Sequence, residues 1–280
     1  MKIDILDSSG FCGGVTRALY LLDKTIKEHP GEIIYLIGPI VHNGLVNAKY
    51  KEKGVKFISL SDLKSLIDGS IVVISAHGVS NTIKKELERF NVIDTTCPYV
   101  IKNKNEIDVN DQNNVIFIGK KDHSETKAMT DDNPHIIIVE KVDDLSKFQS
   151  NSFGEVFNQT TFNIDELRKI HNEIKERAPF YSINNTMCST SVANQEFIKD
   201  KKDYNVCIIV GDKTSNNANS LFDMSPYQST YFIQSHDEIA NMRFRDFDSV
   251  IIIGSASTPK SELKLVKEAI KRTKLIDTTT

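Results

Sequence analysis

SVIIIGSASTPKSELKLVKEAIKR, residues 249–272, holds the fold in miniature. A β-branched run stops at Gly254, a short Ser/Thr/Pro loop follows, and apolar residues at helical spacing close the stretch. The same plan recurs upstream. IIYLIG (33–38), SIVVIS (70–75), NVIFIG (114–119) and NVCIIVG (205–211) are short apolar runs, as expected of strands buried on both faces of a parallel sheet. NTIKKELERF (81–90) and IDELRKIHNEIKER (164–177) are further helix-like segments. Alternation of this kind predicts an α/β protein. No long linker, low-complexity tract or charge block interrupts it. DVNDQNN (108–114) reads as a surface turn, because it lacks the Gly and terminal Glu of a calcium loop.

Composition narrows the function classes. The 280 residues carry 35 Lys+Arg against 38 Asp+Glu, a formal net charge of −3, and 39% are hydrophobic. That is enough apolar material for real cores, and it excludes collagen-like, mucin-like and wholly disordered chains. Near-neutral charge argues against a nucleic-acid partner, which needs clustered bases. No apolar run reaches the roughly 18 residues of a membrane span. The start, MKIDILDSSGFC, lacks the apolar stretch of a secretory signal. The expected compartment is the cytosol (a cytoplasmic protein), with no membrane partner.

Chemistry concentrates just beyond the predicted strands. PIVHN follows the first run and carries His42; AHGVS carries His77; KKDHSE carries His123 and Glu125. GEVFNQTTFN carries Thr160 and Thr161, DKTSNNANS carries Ser215, Asn216 and Asn217, and SASTP carries Ser257. In open α/β sheets, ligands bind beyond the carboxyl ends of strands, where helix N-termini present free N–H groups. His, Ser, Thr and Asn there form a neutral-to-positive donor set suited to a phosphate or diphosphate. Taken singly, each residue reads more readily as a helix cap or turn former; six strand ends carrying such residues together point to a ligand site. His29, His135, His171 and His236 lie in less organised contexts and read as structural or surface residues. Nucleotide-binding glycine fingerprints, HExxH and GxSxG are absent.

The four cysteines are Cys12, Cys97, Cys188 and Cys207. In a cytosolic chain of this size they do not suggest a disulfide framework, and none form CxxC. Cys207 sits inside NVCIIVG and reads as a small core hydrophobe. The others sit among polar and Gly residues, in SGFCGG, DTTCPY and NTMCST, spaced 85 and 91 residues apart. Such spacing suggests three similar units sharing one centre, but does not by itself exclude three unrelated cysteines. SSGFCGGVTRAL is Gly-rich and opens a helix, a setting that suits a thiolate to nucleophilic attack or metal ligation.

GFCGGVTRAL, VHN, SAHGVS, DTTCP, NQTT and the late Cys188 resemble, in order and spacing, the LytB/IspH family. These are the 4-hydroxy-3-methylbut-2-enyl diphosphate reductases of the non-mevalonate isoprenoid pathway. The resemblance runs from Met1 to about Lys271. It implies an α/β fold of three pseudo-symmetric units, 1–96, 97–187 and 188–280, arranged as a trefoil around a central iron–sulfur cluster. Cys12, Cys97 and Cys188 would hold one [4Fe–4S] cluster per chain, leaving one iron without a thiolate as a Lewis acid for the substrate hydroxyl. His42, His77 and His123 would surround the substrate, while Ser215, Asn216, Asn217 and Ser257 would bind diphosphate oxygens. Glu125, Thr160 and His123 would serve catalysis, with Glu125 as proton donor or relay. Two electrons and two protons would remove the hydroxyl as water, giving isopentenyl and dimethylallyl diphosphates. The electrons would come from a ferredoxin or flavodoxin.

The chain departs from the family pattern in places. HSETKA (123–128) stands for HPEVEG, so Ala128 replaces a glycine with wider backbone freedom. CSTSVANQ (188–195) puts Asn194 where the family has Arg, removing a fixed charge. Asn216 replaces one of two serines, and the ending DTTT implies a shortened tail. These changes suit a divergent reductase. They also suit a paralogue acting on another small anion, while a non-catalytic iron–sulfur redox sensor would need only the thiolates.

Overall fold

The computed structural model describes residues 1–109, 114–200, 203–244 and 247–277. Most of the turn expected at 108–114, and the last three residues of the DTTT ending, lie outside that set. In chain order the described strands are β1 (Lys2–Ile5), β2 (Ile34–Ile37), β3 (Lys56–Ile58), β4 (Ile71–Ile74), β5 (Asn91–Asp94) and β6 (Asn114–Ile118). They continue with β7 (Ile137–Val139), β8 (Gly154–Asn158), β9 (Tyr181–Ile183), β10 (Val206–Val210), β11 (Ser229–Ile233) and β12 (Ser249–Gly254). The helices are α1 (Gly13–Glu28), α2 (Gly44–Glu52), α3 (Asn81–Leu87), α4 (Pro98–Val109) and α5 (Ser124–Thr130). After them come α6 (Ile164–Arg177), α7 (Ser189–Asp200), α8 (Asn216–Asp223) and α9 (Lys260–Asp277).

The strands form three four-stranded parallel sheets, ordered β3-β2-β4-β5, β7-β6-β8-β9 and β11-β10-β12-β1. All three share one plan. A leading strand pairs with its successor on one side and with the third strand on the other, and a fourth strand closes the far edge. In the third sheet that fourth place is filled by β1, the first strand of the chain, with Ile3 opposite Val250. The chain is thus an α/β protein built from three like sheets, the fold class expected from its sequence.

By packing, the chain divides into two compact units. One comprises residues 1–13, 42–46 and 189–280; the other comprises 14–41 and 47–188. The first unit contains the β1/β10/β11/β12 sheet, and the second contains the other two.

Strand alternation explains how the first unit's sheet is covered on both faces. Val206, Ile208 and Val210 of β10 pack with Leu263, Val266 and Ile270 of α9. Their neighbours Cys207 and Ile209 point the other way, onto Ile198 of α7 and Leu221 of α8. Cys207 is therefore a core side chain, and burial pushes its thiol up to about 12. In the second unit, Val72 and Ile74 of β4 pack with Leu63, Leu87 and Phe90, while Phe117 of β6 and Phe157 of β8 pack with Val100, Ile107 and Met129. Fully burying each such side chain stabilises the fold by roughly 1.5–3 kcal/mol.

Helix starts are set locally. Asn163 caps α6 by accepting from Asp165 N and Glu166 N at 2.9 and 3.2 Å. Ser80 caps α3. The first turn of α3 is also bound by Asp132, which accepts from Asn81 N and, at 3.0 Å, from Thr82 N, and lies 3.6 Å from the Lys104 ammonium. That carboxylate sits at the end of α5, so it ties α3 to α5 within the second unit.

Candidate functional site

Each of three cysteines occupies an equivalent place in a different sheet. Cys12, Cys97 and Cys188 follow the edge strands β1, β5 and β9, and each immediately precedes a helix: α1, α4 and α7. Their backbone amides are anchored alike. Cys12 N donates to Ala256 O at 3.1 Å, Cys97 N to Ala76 O at 3.0 Å and Cys188 N to Thr160 O at 2.9 Å. Each acceptor lies two residues beyond the end of the third strand of its sheet, β12, β4 or β8. The three sulfurs are half-buried and not in disulfides, whereas Cys207 is buried in the core. A helix N-terminus favours negative charge on a neighbouring sulfur. Partly accessible thiols in three like settings fit soft-metal ligation, and Cys207 does not. Among the described residues, no three Cys, His, Asp or Glu side chains close on a single metal ion. A cluster differs in this respect, since each thiolate binds a separate iron.

The loops around these cysteines are held by residues that sequence patterning alone did not single out. Asp94 takes both the amide and the hydroxyl of Thr96 on one oxygen, and Arg17 Nη1 donates to Thr96 O at 3.0 Å. Gly78, in the AHG turn, adopts φ of +77°, and a Cβ there would come within 3.0 Å of the Thr96 methyl. Gly10, two residues before Cys12, has φ of +106°, and a Cβ would meet the Lys260 side chain at 2.7 Å. Only glycine suits those two positions.

In the second unit, Glu125 and Thr160 meet. Glu125 is 2% exposed. Its Oε1 accepts from Thr160 N at 2.8 Å and its Oε2 from the Thr160 hydroxyl at 2.7 Å. Burial pushes the Glu125 carboxyl up to about 7, more than the two Thr160 hydrogen bonds pull it down. An acid poised there can hold a proton at neutral pH and release it. Glu125 also begins α5, so its backbone is that of a helix-starting residue, while its side chain is sealed from water. His123 caps the same helix, its Nδ1 accepting from Glu125 N at 3.2 Å, so its ring proton resides on Nε2. The His77 and His123 rings stand edge to face, with centroids 5.7 Å apart, and Ser75 Oγ lies 3.4 Å from His77 Nδ1. Ala128 continues α5 with no positive φ, so the loss of the family glycine leaves this helix regular.

In the first unit, Ser215, Asn217, Ser257 and His42 form a connected polar corner. Ser215 caps α8 by accepting from Ala218 N at 3.3 Å, and Asn216 is the first residue of that helix. Asn217 Nδ2 donates to Ser191 Oγ at 3.1 Å, and its Oδ1 accepts from Ala256 N at 3.0 Å. Because Ala256 O accepts from Cys12 N, Asn217 braces the peptide that anchors Cys12. Ser257 Oγ donates to His42 O at 2.9 Å. Burial lowers the His42 imidazole below its usual range, and the nearby Asp212 carboxylate opposes that. Asn194, the family's arginine position, is fully buried and takes the Ser8 hydroxyl on its Oδ1 at 2.6 Å. Asp212 opens the very loop that the strand-end pattern marks, yet its carboxylate was not among the expected donors.

Comparison with known proteins places this arrangement. The LytB protein family profile matches residues 3–271. A 4-hydroxy-3-methylbut-2-enyl diphosphate reductase of Haemophilus influenzae is 30% identical over 97% of this chain and 90% of its own length. One from Clostridium tetani is 31% identical, but this chain spans only 43% of its length. Among solved structures, the E-1-hydroxy-2-methyl-but-2-enyl-4-diphosphate reductase of Plasmodium falciparum superposes with a TM-score of 0.86 at 27% identity, over 95% of this chain and 87% of that one. The match over nearly the whole chain, with the cysteine, AHG and NQTT loops in corresponding strand-end places, shows that the chain belongs to the LytB family.

Proposed function

We propose that this protein reduces 4-hydroxy-3-methylbut-2-enyl diphosphate to isopentenyl and dimethylallyl diphosphates, the terminal step of the non-mevalonate pathway. Membership of the LytB family and relatives bearing the reductase name support this reading. The observation that carries it is the buried Glu125–Thr160 pair, a proton-holding device that a mere cluster carrier would not need.

Cys12, Cys97 and Cys188 would hold a [4Fe–4S] cluster with one iron lacking a protein thiolate. When bound, that group supplies two electrons in turn and a Lewis-acidic iron for the substrate hydroxyl. The remaining work falls to the chain's own side chains. Ser215, Asn216, Asn217 and Ser257, with His42, receive the diphosphate through hydroxyl, amide and imidazole donors. His77 and His123 orient the allylic portion. Glu125 delivers a proton to the departing oxygen, and the Thr160 hydroxyl holds its carboxyl in place and completes the proton path. Balance requires two electrons, two protons and loss of one water. A ferredoxin or flavodoxin would deliver the electrons. The three-unit division at 97 and 188 gives each unit one cysteine. None of the four cysteines is in a disulfide, which suits a reducing cytosol.

The altered HSETKA and CSTSVANQ loops favour a second reading, a paralogue with a different small anion. Anaerobic, reconstituted protein assayed with a reduced viologen dye and the allylic hydroxy diphosphate separates the two. Steady turnover supports the reductase; a full cluster with no turnover supports the paralogue.

A further inference from the structure

The loop after β10, read above as diphosphate-binding, begins with a carboxylate. A negative charge there opposes an anionic ligand unless its oxygens are already engaged. In this chain they are. Asp212 Oδ2 accepts from Gly44 N at 2.8 Å, and Oδ1 accepts from Thr214 N at 2.9 Å and the Thr214 hydroxyl at 2.7 Å. Burial pushes the Asp212 carboxyl up, but these donors and His42 outweigh it and hold the group below the usual carboxylate range.

The Gly44 bond has a particular consequence. Residues 42–46 belong to the first compact unit, although the chain on both sides belongs to the second. Two side chains of the first unit grip this short excursion: Ser257 Oγ at the His42 carbonyl and Asp212 at the Gly44 amide. Only the Asp212 bond is charge-assisted, and hence the stronger. Glycine at 44 suits the grip, since a Cβ there would already lie 3.3 Å from Asp212 Oδ2. Asn43 completes the turn by accepting from Val46 N at 3.1 Å.

We propose that Asp212 is a positioning residue: it clamps the His42–Gly44 turn onto the β10 loop, so that His42 is presented to the diphosphate of the substrate. The proposal rests on the reductase reading of this corner. It has a competitor of opposite sign, in which Asp212 simply repels the anion.

The test uses the full chain, cluster-loaded and handled anaerobically, with Asp212→Ala and the near-isosteric Asp212→Asn. Inorganic diphosphate binding is measured by calorimetry, and KM and kcat with the allylic diphosphate. Losing a charge-assisted bond predicts that Asp212→Ala weakens diphosphate binding and raises KM about tenfold. Asp212→Asn, whose amide oxygen still accepts from Gly44, has the smaller effect, about threefold. kcat stays within about twofold, because saturating substrate restores the turn. In a His42→Asn background, Asp212→Ala adds little, as expected of two residues acting through one contact. Unchanged or tighter diphosphate binding, a fall in kcat with KM intact, or full additivity with His42→Asn overturns the proposal. If Asp212→Ala does not fold, Asp212→Asn alone decides by the same signs. Wild-type protein that neither binds diphosphate nor turns over fails the reductase reading; wild type that does both while Asp212→Ala binds equally well fails only the clamp.

Discussion

At Glu125 a carboxyl is kept from water and met by a single neighbour, Thr160, which gives it both an amide and a hydroxyl. Around His42, a carboxylate, several hydroxyls and an amide side chain are linked by hydrogen bonds to backbone and to one another. The first arrangement leaves a proton loosely held, with burial raising the carboxyl to about 7. The second leaves charge firmly fixed, with Asp212 below the usual range. Poor hydration with few partners makes an acid; rich hydrogen bonding makes a template. One chain uses both, in different compact units.

Both corners are idle without electrons, so the largest effect belongs to sulfur. Replacing Cys12, Cys97 or Cys188 by Ala should remove most of the bound iron and sulfide and all measurable turnover. Cys207→Ala should keep the full iron content, because that thiol lies in the core. Iron and sulfide assays with electron paramagnetic resonance read this directly, and iron loss from Cys207→Ala would break the equivalence of the other three.

Next in size is Glu125→Gln. The amide preserves size and an acceptor for Thr160 but carries no transferable proton. Turnover should fall by about 10²–10⁴-fold with iron content intact. Wild-type turnover should also decline as pH rises through about 7, where the carboxyl loses its proton; a flat profile to pH 9 would remove Glu125 from the chemistry.

The same residue makes a smaller, thermodynamic prediction. Its folded-state value is raised, so its contribution to stability is fully present below the unfolded carboxylate value and is lost as pH rises through about 7. Ionising it in the fold costs about 3 kcal/mol. Glu125→Gln should therefore gain thermal stability over wild type at pH 8 and lose that advantage at pH 5. Equal differences at both pH values would show that the pocket is wet.

Smallest is Asp132, a structural echo of Asp212. Both carboxylates accept backbone amides at a helix start, and Asp132 is lowered to about 2 by the Thr82 and Asn81 donors despite burial. Its stabilisation is present above the unfolded carboxylate value and lost as pH falls toward 2. Asp132→Asn should cost about 2 kcal/mol in urea unfolding at pH 7, and progressively less as pH falls toward 2. An undiminished cost in acid would assign the effect to shape instead of charge.

How far the sequence revealed this is itself a matter of burial. β2, β4, β6, β10 and β12 announce themselves as unbroken apolar runs because they are inner strands covered on both faces. The edge strands β3, β5, β7 and β9 are short and partly exposed, so KFI, NVID, IIV and YSI carry no comparable signal. β8 is an inner strand that periodicity underplays, because Gly154 and Glu155 open it. Gly154 is required there, since a Cβ would collide with Asn114 O and the Tyr181 ring. Strand-end histidines and hydroxyls were legible one by one. What sequence could not convey was partnership: that Glu125 meets Thr160, or that Asp212 reaches back to Gly44.

β1 completes a sheet whose other three strands all lie beyond residue 205. On the ribosome, the second unit's two sheets can close while β1 still waits, and Cys12 gains its anchor at Ala256 only once β12 has been made. On the reading proposed above, a cluster held by all three sulfurs would form only after β12 has been made. On that reading, a chain lacking β12 and α9 would be unable to hold iron, because the Ala256 anchor of Cys12 is lost with them.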